Sequence, residues 1–152
     1  MGQKQCLHTE SGCKRMFRGE YAHNIDLKGR LIIPAKFRED LGENFVVTKE
    51  IGGCLSVYPE TGWQAFEEKL GSLPRSKANI VRFFSGSAVD TGLDKQGRVL
   101  LSAALKEYAG LEKEVVLVGV LDRVEIWDKT KWEENNAIAE ENIQIDMDDL
   151  GF

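Results

Sequence analysis

Two five-residue segments carry the spacing in this chain that most suggests chemistry: Asp26-Leu-Lys-Gly-Arg30 and Asp94-Lys-Gln-Gly-Arg98. Gly29 and Gly97 permit a left-handed turn without Cβ strain. The aspartate can accept backbone N–H bonds across such a turn and also steer the guanidinium four residues later. An arginine held this way is preorganised for paired acceptors, either phosphate oxygens or the O6/N7 edge of guanine. Lys28 and Lys95, inside the two loops, can add phosphate contacts. The competing reading is structural: an Asp and an Arg flanking a tight turn also stabilise it, and a duplicated fold duplicates the turn. On the residues alone the two readings stand about even.

Other chemistries have thinner support. Asp90-Thr91-Gly92 matches the aspartic-protease tripeptide, but Leu93-Asp94-Lys95 follows in place of the small residues expected there. A loop leading into the repeated turn is the better reading of it. Cys6, His8 and Cys13 are three possible ligands at a spacing that fits no standard zinc pattern, so no metal or other cofactor is expected. With only His8 and His23 present, and no serine or cysteine placed for a triad, a non-enzymatic role is expected.

The loops belong to a larger internal repeat. A shift of 68 aligns residues 26–41 with 94–109, with identities at Asp, Gly, Arg, Ala35/Ala103 and Glu39/Glu107. It also aligns Leu31-Ile32-Ile33 with Val99-Leu100-Leu101. A shift of 69 pairs Val46-Val47 with Val115-Val116, Val57-Tyr58 with Ile126-Trp127, and Trp63 with Trp132. Each copy predicts a β stretch, the Asp-x-x-Gly-Arg turn, an apolar strand (31–33, 99–101) and a short helix. Pro34 suits the first turn of one helix, Ser102 suits a cap of the other, and Gly42 and Gly110 suit their ends. Hairpins follow, 45–49 with 54–58 through Gly52-Gly53, and 114–121 with 124–127 through Asp122-Arg123. Closing helices begin near Glu60 and near Asp128. Trp63, Phe66 and Leu70 form a core stripe, and 76–84 predicts a further helix between the copies.

The expected organisation is an extension of unassigned role at 1–15, a first repeat at 16–83, a second at 84–142, and an acidic mobile tail at 143–152. The 1–15 extension is expected to be disordered. One module alone cannot bury both faces of its strands, so two modules closing one barrel-like, mainly β unit with pseudo-twofold symmetry is the natural use of the duplication. Spare apolar helix surface favours homo-oligomers.

At 152 residues, 42% hydrophobic and 30% charged, the composition is that of a globular protein. No apolar run is long enough to cross a bilayer, and residues 1–15 lack the apolar core of a secretion signal, so a cytoplasmic location is expected. The three cysteines, Cys6, Cys13 and Cys54, are too sparse for a disulfide framework. The net charge of −5 argues against nucleic acid only at first sight. Seven acids and no Lys or Arg lie in residues 133–152, and removing them leaves 18 acidic residues against 20 basic ones.

The run Met16-Phe-Arg-Gly, the segment Asn24-Ile-Asp-Leu-Lys-Gly-Arg-Leu-Ile-Ile-Pro34, the second Asp-x-x-Gly-Arg turn with Leu100 to Leu111, Val115-Val-Leu-Val-Gly119 and Glu125-Ile-Trp-Asp128 resemble the bacterial MraZ family. The match runs from Met16 to about Trp132. The resemblance implies an AbrB/MazE-like swapped-hairpin β-barrel made of two half-repeats, and a ring-shaped homo-oligomer. It implies a transcriptional regulator of the division and cell-wall gene cluster, associated with the nucleoid, that binds repeated promoter boxes through Asp-x-x-x-Arg. Here that pattern falls on Asp26/Arg30 and Asp94/Arg98. Arg30 is the favoured contact, since its loop has Lys28 where the second has Gln96, and Arg18, from the opening run, is expected near the same surface. The runner-up is an antitoxin-like module that holds a partner protein with its acidic tail.

Overall fold

The computed structural model describes residues 16–152. Cys6, His8, Cys13 and the 1–15 extension lie outside the described residues. In chain order the elements are β1 (Phe17–Asn24), β2 (Arg30–Ile32), α1 (Ala35–Leu41), β3 (Asn44–Glu50), β4 (Cys54–Pro59), α2 (Glu60–Gly71) and a 3-10 turn (Arg75–Lys77). Then come α3 (Ala78–Ser87), β5 (Val89–Gly92), β6 (Arg98–Leu100), α4 (Ala103–Ala109), β7 (Glu114–Leu121), β8 (Arg123–Asp128) and α5 (Lys129–Asp149). The protein is thus mainly β with short helices, in two repeats.

The two copies are interleaved. Six strands form one antiparallel sheet in the order β1-β7-β8-β4-β3-β5, and β2 pairs with β6 as a separate ribbon. The first strand of each repeat pairs with the hairpin of the other: β1 with β7, and β5 with β3. The register is pseudo-twofold. In the ribbon, Leu31 pairs with Val99 on the axis, flanked by Arg30↔Leu100 and its equivalent, Ile32↔Arg98. In the sheet, Ser56↔Glu125 is flanked by Leu55↔Ile126 and Val57↔Val124.

The ladder does not close into the expected barrel. β1 and β5 remain edges, because after their turns the chain is committed to the β2–β6 pairing rather than to joining those edges. The inward side of the ribbon instead seals the core: Leu31, Ile33 and Val99 are fully buried, and Leu101 nearly so. They join Phe17, Phe37, Leu55, Val57, Leu105, Val115 and Ile126 in one cluster drawn from both repeats. This main core belongs to neither repeat alone. Trp63 and Tyr58 make a second cluster with Val46 on the other face of the sheet, where Phe66 stacks on Tyr58 at 5.5 Å between centroids. The aromatic stripe of α2 is therefore core, as its spacing suggests.

Local signals are largely realised. Ser102 Oγ accepts the Leu105 N–H at 3.3 Å and caps α4. Gly42 and Gly110 end α1 and α4 with φ of 82° and 66°. Pro34 stands one residue before α1 instead of inside its first turn, and each strand after the Arg turn begins at the arginine itself. Arg123 opens β8, so Leu121 (φ 61°) and Asp122 make that turn. It lies between Glu50 and Glu125, at 3.5 and 2.9 Å.

Two of the expected divisions fall inside helices. The division at 83/84 falls inside α3, which runs unbroken to Ser87. The tail expected to be mobile from Ile143 is helical, since α5 continues to Asp149. No glycine or proline interrupts residues 129–150, and Gln144 Nε2 donates to Asp148 at 3.0 Å along the helix. Acidic composition alone did not reveal this. No helix of the described residues is long and apolar enough to cross a membrane.

Candidate nucleic-acid interface

Each Asp-x-x-Gly-Arg segment folds into the same closed turn. Asp26 Oδ1 accepts the backbone N–H groups of Lys28 (2.9 Å) and Arg30 (2.8 Å), and Oδ2 accepts Arg30 Nε at 2.7 Å. The Gly29 N–H donates to the Asp26 carbonyl and the Asp26 N–H to that of Arg30, both at 3.0 Å. In the second turn Asp94 takes the N–H groups of Gln96 and Arg98, each at 2.9 Å, and Arg98 Nε at 2.8 Å. Both aspartates are held below the ordinary carboxylate range. The backbone N–H of the arginine is the main cause, with its side chain and the Lys28 or Gln96 N–H adding to it against desolvation. The carboxylates therefore stay ionised through the neutral range. The turns lose these bonds only as pH falls through the lowered values.

Glycine is required in these turns for conformation, and the ends of two cationic side chains lie close against it. Gly29 and Gly97 have φ of 85° and 78°. A Cβ on Gly29 would lie 2.9 Å from Lys106 Nζ, and one on Gly97 would lie 2.6 Å from Arg38 Cζ. The Gly29 and Gly97 carbonyls accept the Leu101 and Ile33 N–H groups at 2.9 and 3.0 Å, which stitches each turn to the opposite repeat.

This stitching sets the loops side by side. Arg98 Nη1 comes to 4.0 Å from Asp26 Oδ2, across the repeat boundary. The two arginines are nevertheless unequal. Arg98 Nη2 donates to Gln96 Oε1 at 2.6 Å, so the second guanidinium is held by Asp94 and Gln96 together. Arg30 is held through Nε alone, and its two Nη groups have no partner among the described residues. Its side chain is 33% exposed against 23% for Arg98. A guanidinium fixed at Nε with both Nη atoms free presents two donors in one plane, the geometry that a bidentate acceptor needs.

The predicted residues do not all meet. Lys28 and Lys95 are exposed in the loops beside the arginines. Arg18 is exposed but pairs with Val120, at the end of β1 remote from the turn. The six residue steps from Arg18 to Asn24 span roughly 20 Å of extended strand. Asp90-Thr91-Gly92 lies in β5, paired with Val46, Phe45 and Asn44, so it is strand rather than loop. Among the described residues no group of three or more His, Cys, Asp or Glu is placed to hold a metal. Cys54 is buried and carries no disulfide, and burial pushes its thiol well above the ordinary range.

Two cations escaped the sequence reading: Arg38 on α1, beneath the Gly97 turn, and Lys106 on α4, beneath the Gly29 turn. Arg38 Nε donates to the Ile33 carbonyl at 2.6 Å. Their signal was present, because the 68-residue shift aligns Arg38 with Lys106 and keeps the charge in both copies. Six cations (Lys28, Arg30, Arg38, Lys95, Arg98, Lys106) thus surround two carboxylates, Asp26 and Asp94.

A family model described as "MraZ protein, putative antitoxin-like" matches the chain twice, at residues 16–82 and 83–150. The chain belongs to the MraZ family. Similar MraZ proteins include one from Moorella thermoacetica, 52% identical over 143 residues, covering 87% of this chain and all of the relative. One from Desulforamulus reducens is 54% identical over 132 residues, covering 85% of this chain and 93% of the relative. One from Lachnoclostridium phytofermentans is 49% identical over 139 residues, covering 90% and 99%. All three bear the name Transcriptional regulator MraZ. Each MraZ repeat of this chain contributes one Asp-x-x-Gly-Arg turn to the shared cationic surface.

Proposed function

We propose that this chain is a sequence-specific DNA-binding transcriptional regulator in which the paired Asp-x-x-Gly-Arg turns read the DNA. The observation that carries the reading is the Arg30 guanidinium, fixed through Nε by Asp26 and with no partner for its two Nη groups among the described residues. Arg98 is the second, more restrained contact. Lys28 and Lys95 supply phosphate contacts, and Gly29 and Gly97 let the backbone take the turn. Arg18 lies too far along β1 to share this surface. The names of the relatives support regulation of transcription as the outcome.

The finer picture rests on family likeness: repeated promoter boxes, control of the division and cell-wall gene cluster, association with the nucleoid, and a ring of identical chains. The exchange of β1 and β5 between repeats supports a swapped-hairpin relation to AbrB/MazE-like proteins, with the ladder left open. A ring also answers the net charge of −5, since it repeats one cationic edge while α5 carries seven of the 25 acids elsewhere.

Titration of a labelled promoter fragment against salt tests this reading. The logarithm of the association constant is expected to fall with the logarithm of salt concentration with a slope steeper than about −2 per bound chain, given the four loop cations. Absence of binding at low ionic strength, together with a tightly co-purifying protein partner, points to the antitoxin-like interaction module instead.

A further inference from the structure

The β2–β6 ribbon has two unlike sides. Leu31, Ile33, Val99 and Leu101 face the core, while the alternate positions Arg30, Ile32, Arg98 and Leu100 face outward. Cross-strand pairing sets Arg30 opposite Leu100 and Arg98 opposite Ile32, so each arginine is paired with an apolar residue on the outer face. Ile32 is 41% exposed and Leu100 60% exposed. They occupy equivalent positions of the two repeats, so an outward apolar residue is kept twice beside the charges of the two turns, where Leu27 of the first turn is exposed as well. Neither adds to the core, and both lose by facing water.

We infer that the outer face of this ribbon enters the major groove, and that Ile32 and Leu100 read thymine 5-methyl groups beside the bases read by the arginines. The inference rests on the DNA-binding reading above. A two-stranded ribbon is narrow enough for the roughly 12 Å major groove. The thymine methyl is the apolar group on the base edges displayed there. Directly opposed residues in a ribbon have Cβ atoms about 5 Å apart, near the scale of one base step, so the methyl lies within about one step of the base that each arginine touches. DNA is favoured over a second copy of this chain as the occupant, because Arg30, Arg98, Lys28 and Lys95 on the same surface complement phosphate and would repel their own kind.

The test uses the full chain and a duplex carrying its best selected site, with thymines replaced one at a time by deoxyuridine, which lacks only the methyl. The wild-type protein is expected to lose roughly fourfold in affinity at each contacted thymine. Ile32→Ser and Leu100→Ser are each expected to bind the thymine duplex more weakly and to be indifferent to replacement of the thymine that the substituted residue contacts, while Ile32→Val keeps the sensitivity. Wild-type binding unaffected by every replacement overturns the inference and leaves DNA binding intact. Methyl sensitivity unchanged at every thymine in both serine variants overturns it too. A smaller oligomer of either variant without DNA assigns the patch to self-association. Failure of the wild-type chain to bind any duplex removes the DNA reading itself.

Discussion

Replacing Arg30 with alanine is expected to abolish specific DNA binding while the protein stays folded. One bidentate contact to guanine discriminates by about 1–3 kcal/mol, or roughly five- to 150-fold, for each box engaged. Where several identical chains bind several boxes at once, those factors multiply and the loss becomes complete at working concentrations. The fold is spared because the backbone bonds of the turn remain: Asp26 Oδ1 still accepts the N–H groups at positions 28 and 30, and Gly29 still donates to Asp26. The lost Arg30–Asp26 contact joins two half-exposed groups and contributes little to stability. Arg98→Ala is expected to cost less, since Gln96 and Asp94 already occupy much of that guanidinium in the free protein. Gel shifts of both variants, with circular dichroism melts alongside, check this order. Equal losses, or a larger loss for Arg98→Ala, contradict it.

The second large effect concerns the strand that carries the first turn. Gly119→Ala is expected to destabilise the protein by about 3 kcal/mol, at the upper end for forced overpacking. Gly119 pairs with Gly19 where β7 meets β1. A Cβ there would lie 2.3 Å from the Arg18 nitrogen and 2.5 Å from the Phe17 carbonyl carbon. Both obstacles are backbone atoms and cannot rotate aside, so β1 must move off β7. Phe17 then leaves the core and its edge contact with Phe37. The disturbance spreads along the strand to Ile25, whose N–H donates to the Lys113 carbonyl at 2.8 Å just before the turn. Weaker DNA binding is expected to accompany the loss of stability. Gly86→Ala is the control: Gly86 is in α3 with open space around it, and alanine there is expected to be neutral or stabilising by about 0.5–1 kcal/mol. Urea denaturation with hydrogen exchange of the β1 amides distinguishes the two. A midpoint unchanged by Gly119→Ala contradicts the close approach.

Much of this arrangement was legible before any coordinates. The Asp-x-x-Gly-Arg turns, the Ser102 cap, the glycine helix ends and both hairpins rest on short-range rules that the chain obeys locally. The repeat made the pseudo-twofold register visible in outline, because an alignment of apolar positions is an alignment of buried faces. What stayed hidden was long-range. Which strand each first segment joins depends on the whole core, so the exchange of β1 and β5 and the open ladder could not be read from Val89–Gly92 or Phe17–Asn24 alone. Arg38 and Lys106 are distant in sequence from the turns they underlie, and only cross-repeat packing brings them there. The inequality of Arg30 and Arg98 was sought in the charge of Lys28, yet the structure adds a second cause, the Gln96 amide that captures Arg98 Nη2. The helix in the acidic C-terminal segment was hidden because composition reports solvation, whereas α5 follows from an uninterrupted run without glycine or proline.

Selection of bound duplexes from random DNA, run in parallel with the wild-type chain and with Arg30→Ala, bears most directly on the tethered guanidinium as the reader of sequence. A short recurring box containing guanine, recovered by the wild type and lost from the variant's pool, is the predicted result. The same box enriched equally by both proteins would place recognition elsewhere on the molecule.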